Sequence, residues 1–586
     1  MSDRALTTLA RKAGLSPIWT DAHGQRRVVA PDTLKSVLRA LGYVTDSNTQ
    51  VAESLREAGN ALPAERTADA PRRAHAMPKH AKFWALAVQI YALASESGIG
   101  DFGTLADFAA DAAKYGADAL AISPVHALFG ARPSHISPYS PSTRLFLNPL
   151  YIPVASRDRA AKEGPLIDWP RVHAERMRSL RSAFDAFRGD DDFDRFVREG
   201  GDHLLGHARF EVLDRRFVAQ YIYDWRNWPA QWRDADSRSV QALDAGDPEI
   251  RFQLYLQWRA DTALGAAQKR ARDAGMAIGL IADMAVGVAP NGSLAWSARD
   301  EILDGLSIGA PPDIFNPAGQ DWGLTTFSPT GLRASGFAGF IATLKAAMRN
   351  AGGMRLDHAM GLRRLWVIPR GASAADGVYL EYPLENMLNL IARESLAHNC
   401  VVIAEDLGTV PTGFRGTIAR HALYGMRVLW FERDGKGNFI LPDAWERTAA
   451  ALSTTHDLPT IAGWWTDRDI YWRRKTGATA DATRKAKAMR ASDRKKLWRA
   501  LKQAGCAKGA VPESAGPVID ASIEFLAKTP CPLAIVPAED LLGLREQPNL
   551  PGTIDEHPNW RRRLPDVFAS RASRRRATLL TGKREP

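Results

Sequence analysis

Eight short apolar segments recur along this chain with helical sequence between them, and this alternation restricts the fold more than any other feature. Strands that alternate with helices form a parallel sheet covered on both faces, so they are apolar along most of their length. Eight such strands are the number that closes a TM (β/α)8 barrel, and we predict an α/β fold of this class. The candidate strands are residues 84–90, 119–123, 277–283, 354–357, 401–405, 427–431, 451–455 and 532–536.

A doubly wound open sheet is the structural alternative. That fold binds dinucleotides through a glycine-rich turn between its first strand and helix. We find no such turn after any candidate strand. The barrel is therefore the favoured prediction.

The length of 586 residues and the uneven spacing of the strands predict additions to the barrel. Residues 1–80 are predicted to form a small N-terminal domain, which ends in a linker rich in Ala, Pro and Arg over residues 61–82. Residues 81–586 would then form the catalytic barrel. Its long gaps predict inserted subdomains at about 150–270, 293–351 and 464–530.

The net charge of +11 comes from 77 basic and 66 acidic residues, and arginines 561–563 and 574–576 concentrate it near the C-terminus. No nucleic-acid-binding motif accompanies these arginines, so we predict a solvated basic tail and no nucleic-acid partner. The three cysteines lack the spacing of a disulfide framework or a zinc site. No apolar leader or membrane-length apolar run occurs, which predicts a cytoplasmic protein that does not contact membrane.

Four candidate strands end in, or run directly into, an acidic residue. These residues are Asp283, Asp357, Glu405 and Asp457. The carboxyl ends of the strands of a TM barrel face one rim, where the chemistry of such enzymes is placed. The four acids are therefore predicted to converge in a carboxylate-based active site.

Arg355 and Asp357 are two residues apart in a strand and would lie side by side where the strand meets its loop. A guanidinium there would keep the carboxylate ionised and fixed in orientation, as a nucleophile requires. The same pair would also serve as a structural salt bridge. The pair alone does not distinguish these two interpretations.

The other acids suggest complementary roles. Glu405 follows an apolar strand, which would raise its pKa and suit a general acid/base. Asp457, alongside His456, would hold substrate hydroxyls. An acid and a nucleophile on opposite sides of a bond are typical of a retaining glycosidase, with carboxyls about 5–5.5 Å apart. A magnesium site is the rival use of clustered acids, but no phosphate-binding loop is evident and we predict no metal.

At these residues the chain resembles a known family, the amylomaltases, which are the 4-α-glucanotransferases or disproportionating enzymes of glycoside hydrolase family 77. The N-terminal unit resembles the extension of the longer bacterial members. The matching motifs run in order from about residue 84 to 565. They begin at Gly98, Ser137, Ile281, Gly309, Gly319, Met354, Ala404, Thr455, Pro551 and His557.

The resemblance implies a TM barrel that transfers α-1,4-glucan segments between maltooligosaccharides or to glucose, without a cofactor. It implies Asp357 as the nucleophile, Glu405 as the general acid/base and Asp457 as the stabiliser of the transition state. The remaining implied substrate-binding residues include a ring-stacking tyrosine, the orienting arginine and a loop over the glucan. They are Tyr139, Asp283, Asp313, Gln320, Trp322, Arg355 and His456.

Two other functions stay open at this stage. An α-1,4-glucan hydrolase would use the same carboxylates, with water as the acceptor in place of a sugar. A catalytically inactive glucan-binding protein is the third interpretation, although binding alone does not require a nucleophile and an acid together.

Overall fold

The computed structural model describes residues 2–21, 24–57, 71–95, 98–154, 164–313 and 316–584. Its central sheet has eight parallel strands, and each overlaps one of the predicted segments. Numbered in chain order, the strands are β1 Phe83–Val88, β2 Ala119–Ile122, β3 Gly279–Met284, β4 Gly353–Leu356, β5 Val401–Ala404, β6 Gly425–Val428, β7 Ala449–Leu452 and β8 Leu533–Pro537.

Tyr424 closes this sheet into a barrel. The strand order β5-β4-β3-β2-β1-β8-β7-β6 leaves β5 and β6 at its two ends. Tyr424, just before β6, pairs in parallel with Ile403 of β5, and its N–H donates to Val402 O at 2.9 Å. Ala404 N donates to Tyr424 O at 2.7 Å on the other side. The predicted TM barrel is therefore confirmed.

Helices separate the strands, as the alternating pattern predicts. The first begins after Asp101, whose carboxylate accepts a hydrogen bond from Thr104 N at 2.9 Å and caps the helix. The main helices of the barrel and its insertions are Phe102–Ala113, Trp169–Asp185, Asp191–Val218, Pro248–Asp273, Ala338–Met348, Leu384–Ala397, Phe414–Arg420, Ala480–Gln503, Gly516–Ala527 and Arg571–Arg584.

Steric constraints require glycine at two positions before this first helix. Gly98 has φ of 88°, a left-handed conformation that favours glycine. A Cβ on Gly100 would lie 2.0 Å from the carbonyl oxygen of Ile90. The turn that leads from β1 into its helix therefore needs both residues.

A second sheet, antiparallel and five-stranded, joins the N-terminal segment to two later regions of the chain. Leu15 pairs with Leu380. The strand order is Leu15–Ser16, Val378–Glu381, Arg364–Pro369, Leu306–Ala310 and Gln320–Leu324. This sheet carries the chain around Trp322 to the rim of the barrel.

The N-terminal segment also contains the helices Ser2–Lys12, Pro31–Ala40 and Asn48–Glu57. Residues 61–70 of the predicted linker lie outside the described residues. Further along, Ala74 N donates to His421 O at 2.9 Å and Met77 N to the hydroxyl of Tyr424 at 3.0 Å. The predicted domain division at residue 80 stays a prediction.

The prediction of a solvated basic tail is wrong. The helix Arg571–Arg584 packs on the barrel, and Arg576 Nε forms an ion pair with Asp520 Oδ1 at 2.8 Å. Arg584 is only 3% exposed and donates to Lys82 O at 3.1 Å. These partners lie far away in the sequence, so the local charge run gave no sign of them.

None of the described helices combines the length and the apolar character needed to cross a lipid bilayer.

Candidate active site

Arg355 links two carboxylates at the rim of the barrel. It lies opposite Asp283 in the parallel register of β4 and β3. Its Nη1 donates to both oxygens of Asp283 at 2.7 and 2.9 Å, and its Nη2 donates to Asp357 Oδ1 at 2.8 Å. Among the described residues, no group donates to Asp357 Oδ2. One oxygen of Asp357 is thus held by the arginine and the other is available for chemistry.

The charges of this group reinforce one another. Burial acts to lower the pKa of Arg355, but Asp283 and Asp357 outweigh it and hold that pKa well above its usual value. Burial raises the pKa of Asp283, and Arg355 opposes that rise. The guanidinium is therefore permanently charged, and two acids share it.

Glu405 is held by two backbone N–H groups. His358 N donates to its Oε2 at 2.8 Å and Leu407 N to its Oε1 at 2.7 Å. Burial, followed by the nearby charge of Asp357, raises the pKa of Glu405 to about 7, although Arg355 and the backbone donors oppose this. At neutral pH a large fraction of Glu405 is thus protonated, as a general acid requires.

His358 adopts the left-handed conformation, with φ of 45° and ψ of 57°. This conformation costs about 1–2 kcal/mol for a residue with a side chain, and such strain clusters at functional sites. It turns the N–H of His358 toward Glu405 directly after the strand that ends at Asp357. The residue types around Asp357 gave no sign of this backbone role of His358.

Asp457 is the third carboxylate, and two side chains fix it. His456 Nε2 lies 3.4 Å from its Oδ2, and Asn549 Nδ2 donates to its Oδ1 at 2.6 Å. Burial would raise the pKa of Asp457, but His456 and Asn549 outweigh that effect and hold it below its usual value. In the same way Asp457 outweighs burial and raises the pKa of His456. The pair favours a carboxylate beside an imidazolium.

Tyr139 connects the two halves of the site. Its ring stacks on that of His456, with centroids 4.5 Å apart and planes 21° apart. Its hydroxyl donates to Asp283 Oδ2 at 2.6 Å and lies 3.2 Å from His456 Nδ1. Because the hydroxyl proton goes to Asp283, the tyrosine oxygen accepts from His456, and Nδ1 of that ring carries a proton.

Trp560 and Asn549 are residues of the site that sequence reasoning did not assign. Trp560 lies 5.6 Å from the ring of Tyr139 and 5.5 Å from that of His456. Trp560 lies within the motif that begins at His557, and Asn549 lies two residues before the motif that begins at Pro551. Their positions at these motifs were the only signal in the sequence. Their side chains reach the site from a connection after β8, a placement that spacing does not reveal.

Trp322 reaches the site from the antiparallel sheet. Its ring meets that of His358 edge to face at 5.0 Å, and its Nε1 donates to Gln320 Oε1 at 3.3 Å. Asp313 lies in the loop before this strand, where its carboxylate accepts from Asn316 N at 2.6 Å. Residues 314 and 315 of that loop lie outside the described residues. The contacts thus place Trp322 against His358, the residue after Asp357, and hold Gln320 beside Trp322. The role of Asp313 stays a prediction.

Asp406 follows Glu405 directly but has the opposite surroundings. It is fully buried, and Arg427 Nη1 and Arg415 Nε donate to its Oδ2 at 2.9 and 2.8 Å. Its Oδ1 accepts from Met426 N at 2.7 Å. Both oxygens are engaged, so Asp406 anchors the loop that carries Glu405 to β6.

Within the described part of the chain, no group of three or more His, Cys, Asp or Glu side chains is arranged to hold a metal ion. The prediction of a reaction without metal stays a prediction.

Comparison with known proteins gives matches that cover most of the chain. The model of glycoside hydrolase family 77, described as 4-alpha-glucanotransferase, matches residues 88–569. A 4-alpha-glucanotransferase of Mycobacterium tuberculosis is 35% identical over 517 residues, which cover 82% of this chain and 70% of that protein. A 4-alpha-glucanotransferase of Haemophilus influenzae is 32% identical over 536 residues, which cover 83% of this chain and 76% of that protein. The crystal structure of amylomaltase from Corynebacterium glutamicum matches with a TM-score of 0.84, 25% identity and 99% of each chain covered.

Proposed function

We infer the reaction of this protein from its family, because the chain belongs to the 4-alpha-glucanotransferases of glycoside hydrolase family 77. The enzyme transfers a segment of an α-1,4-glucan to the 4-hydroxyl of another glucan chain. Maltooligosaccharides are donor and acceptor, and glucose also serves as an acceptor. The mechanism is a double displacement that retains the α configuration.

In the first step, Glu405 gives its proton to the glycosidic oxygen while Asp357 attacks C1 of the sugar. The bond between C1 and the glycosidic oxygen breaks, and an ester between C1 and Asp357 forms. The leaving fragment departs with a free 4-hydroxyl. The unengaged Oδ2 of Asp357 supports this assignment, because its partner oxygen is held by Arg355 at 2.8 Å.

In the second step, the Glu405 carboxylate takes the proton of the incoming 4-hydroxyl. The acceptor oxygen attacks C1, the ester breaks, and the Asp357 carboxylate is restored. Two inversions at C1 leave the new bond in the α configuration. The acid, the base and the nucleophile are all side chains, so the reaction uses no cofactor.

Positive charge develops on the sugar ring in both transition states. Asp283 and Asp357 share a single arginine, so the excess charge at this rim is negative and stabilises an oxocarbenium ion. Asp457, fixed by His456 and Asn549, holds the 2- and 3-hydroxyls of the same sugar.

One observation carries the proposal. Two carboxyl groups on neighbouring strands have opposite surroundings: Asp357 forms an ion pair with Arg355, and Glu405 is buried with its pKa raised to about 7. A nucleophile and a general acid need this difference.

The choice of acceptor rests on the aromatic side chains around the site. Transfer exceeds hydrolysis when a sugar reaches the ester before water does, which requires a surface that binds sugar and excludes water. Trp322, beside His358, and Tyr139, stacked on His456, are placed for this role. Gln320, in the strand that carries Trp322, and Asp313, in the loop before that strand, are proposed to contact the glucan chain.

Incubation with maltotriose as the only sugar tests the function. Transfer produces glucose together with a ladder of longer maltodextrins, resolved by chromatography, and the Asp357→Ala protein serves as the blank. Monotonic shortening without longer products would contradict transfer and favour the hydrolase. Equal turnover by the blank would contradict the assignment of the nucleophile.

The proposed compartment is the cytoplasm. Support comes from Cys400, Cys506 and Cys531, which are free thiols, as expected of a protein in a reducing compartment.

A further inference from the structure

The side chain of Asn549 holds Asp457, and the peptide that follows Asn549 is itself held on both sides. Asn549 O accepts a hydrogen bond from Gln547 Nε2 at 2.6 Å. On the other side of that peptide, Leu550 N donates to Asn559 Oδ1 at 2.9 Å. Gln547 is 4% exposed and Asn559 is 6% exposed. Two buried side-chain amides therefore fix one peptide, and neither acts on the sugar in the proposed reaction.

The amide of Asn559 is used at both of its ends. Its Oδ1 also accepts from His557 Nδ1 at 2.7 Å, since a carbonyl oxygen has no proton to give. Its Nδ2 donates to Thr553 O at 3.0 Å and to Thr553 Oγ1 at 2.9 Å, and that hydroxyl donates to Leu550 O at 2.7 Å. These partners are compatible with one orientation of the amide only. Asn559 thus binds the beginning, the middle and the end of the loop that starts at Leu550.

The end of this loop has supports of its own. Trp560 N donates to Pro548 O at 3.1 Å, and Trp560 O accepts from Trp169 Nε1 at 3.0 Å. Asn559, one residue earlier, is therefore anchored to the helix that begins at Trp169. Its contact with Leu550 N passes this fixed position to the start of the loop.

The start of the loop presents Asn549 to the active site. Asn549 N donates to His456 O at 3.2 Å, and its Nδ2 donates to Asp457 Oδ1 at 2.6 Å. The peptide before Asn549 is held through that N–H, and the peptide after it is held by Gln547 and Asn559. With both peptides fixed, the side chain of Asn549 has little freedom to turn away from Asp457.

We propose that Gln547 and Asn559 are positioning residues for Asp457 and that they act through Asn549. Supporting hydrogen bonds of this kind keep an active-site group within about 0.5 Å of its productive geometry. The inference rests on the proposed function, in which Asp457 holds the 2- and 3-hydroxyls of the sugar at the reacting bond. Without the support, Asn549 turns more freely, and the contact of Asp457 with these hydroxyls weakens in the transition state.

A double-mutant cycle tests this coupling. Asn559→Ala removes the support but leaves Asn549 and Asp457 in the chain. We expect it to lower kcat/KM for maltotriose transfer about tenfold in the wild-type background and less than about threefold in the Asn549→Ala background, where the group being positioned is already absent. The same fold-change in both backgrounds would overturn the proposal, because a purely structural effect would not depend on Asn549.

A donor without the 2-hydroxyl separates positioning from a loss of active enzyme. α-Maltosyl fluoride and its analogue deoxygenated at C2 of the fluorinated sugar differ in one hydroxyl that Asp457 is proposed to hold. Asn559→Ala should slow the release of fluoride about tenfold from the first donor and less than about threefold from the second. A smaller active fraction would lower both rates alike, so equal losses on the two donors would overturn the proposal.

Two further variants keep the test decisive if Asn559→Ala does not fold. Thr553→Val has nearly the same shape and removes the hydroxyl that lies between Asn559 and Leu550. Gln547→Met has a similar length and removes the donor on the other side of the peptide. Each should slow release from α-maltosyl fluoride at least about threefold more than release from the 2-deoxy analogue. Equal losses on the two donors would remove that residue's contact from the mechanism and count against the proposal.

Asn350→Ala is the matched control. Asn350 precedes β4 at the end of the barrel opposite the active site, and its Nδ2 donates to Asp261 Oδ1 at 2.8 Å. This variant should lower the midpoint of thermal unfolding and change the ratio of the two fluoride-release rates by less than about twofold. A selective loss in this control as well would show that the ratio follows stability, and the proposal would fail. Failure of the proposed function would be recognised separately, because the wild-type protein would then produce no maltodextrin ladder from maltotriose.

Discussion

Two arginine–aspartate clusters lie at neighbouring strand ends of this barrel and differ in their ratio of acids to bases. At β3 and β4, two aspartates share one arginine: Arg355 binds Asp283 at 2.7 Å and Asp357 at 2.8 Å. At β5 and β6, one aspartate is shared by two arginines, since Asp406 accepts from Arg415 and Arg427 at 2.8 and 2.9 Å.

The first cluster, Asp283–Arg355–Asp357, is called the open cluster, and the second, Arg415–Asp406–Arg427, the closed cluster. The side chain of Asp357 is 17% exposed, and no group of the described residues donates to its Oδ2. The side chain of Asp406 is 0% exposed, and both of its oxygens accept hydrogen bonds. Arg427 also pairs with Glu446, which makes the closed cluster neutral. The open cluster thus has the two properties that the proposed nucleophile needs, an excess of acids over bases and an accessible oxygen, and the closed cluster has neither.

The largest expected effect distinguishes the clusters by activity. Asp357→Asn removes the nucleophile and is expected to lower the rate of maltotriose transfer at least about 10⁴-fold. The free energy of unfolding should change by less than about 1 kcal/mol, because Arg355 keeps Asp283 as its partner. Initial rates and urea unfolding measure the two quantities. A substantial residual rate, in protein freed of wild-type contamination, would assign the nucleophile elsewhere.

The acid/base is the next target. Glu405→Gln is expected to lower maltotriose transfer about 10³-fold, because the glycosidic oxygen then leaves without a proton. A glycosyl fluoride leaves without protonation, so release of fluoride in a first turnover should stay close to the wild-type rate. Equal losses on both donors would show that Glu405 does not act as the acid.

Substitutions in the closed cluster should lower the free energy of unfolding. Asp406→Asn leaves two arginines without their shared anion, and breaking a buried pair in this way costs about 3–5 kcal/mol of unfolding free energy. Arg415→Lys, at a side chain that is 48% exposed, is the milder control and should cost about 1 kcal/mol or less. Unfolding in urea would measure both. If Asp406→Asn were as stable as wild type, the cluster would not anchor the loop.

The smallest effect concerns pH. Glu405 must be protonated in the free enzyme, and its pKa is raised to about 7, so kcat/KM should fall above pH 7 by about tenfold per pH unit. This decrease of kcat/KM above pH 7 should disappear when the first step is followed with a glycosyl fluoride, whose leaving group needs no proton. A profile flat from pH 6 to 9 on maltotriose would argue against Glu405 as the acid.

The barrel and the three carboxylates were predictable because their signals are local. Covered parallel strands are apolar throughout, and an acid that follows such a strand lies at the rim wherever the strand stands in the sequence. For this reason Asp357, Glu405 and Asp457 could be placed from the chain alone.

Other features depend on partners that lie far apart in the sequence. Asp406 and Asp357 both follow an apolar strand, so the sequence does not distinguish their roles. The number of arginines that contact each carboxylate in the folded chain does. Trp560 reaches Tyr139 across the barrel mouth, and Arg576 finds Asp520 on another helix. The left-handed backbone of His358 has no residue signal, since glycine is the usual marker of that conformation.

Trapping the glycosyl ester tests the open cluster most directly. Glu405→Gln protein treated with α-maltotriosyl fluoride should form the ester but not resolve it, because no base activates the acceptor. After denaturation and digestion at low pH, mass spectrometry should find one maltotriosyl group on Asp357. A label on Asp283 or on Asp457, or fluoride released without any labelled peptide, would contradict the assignment of Asp357 as the nucleophile.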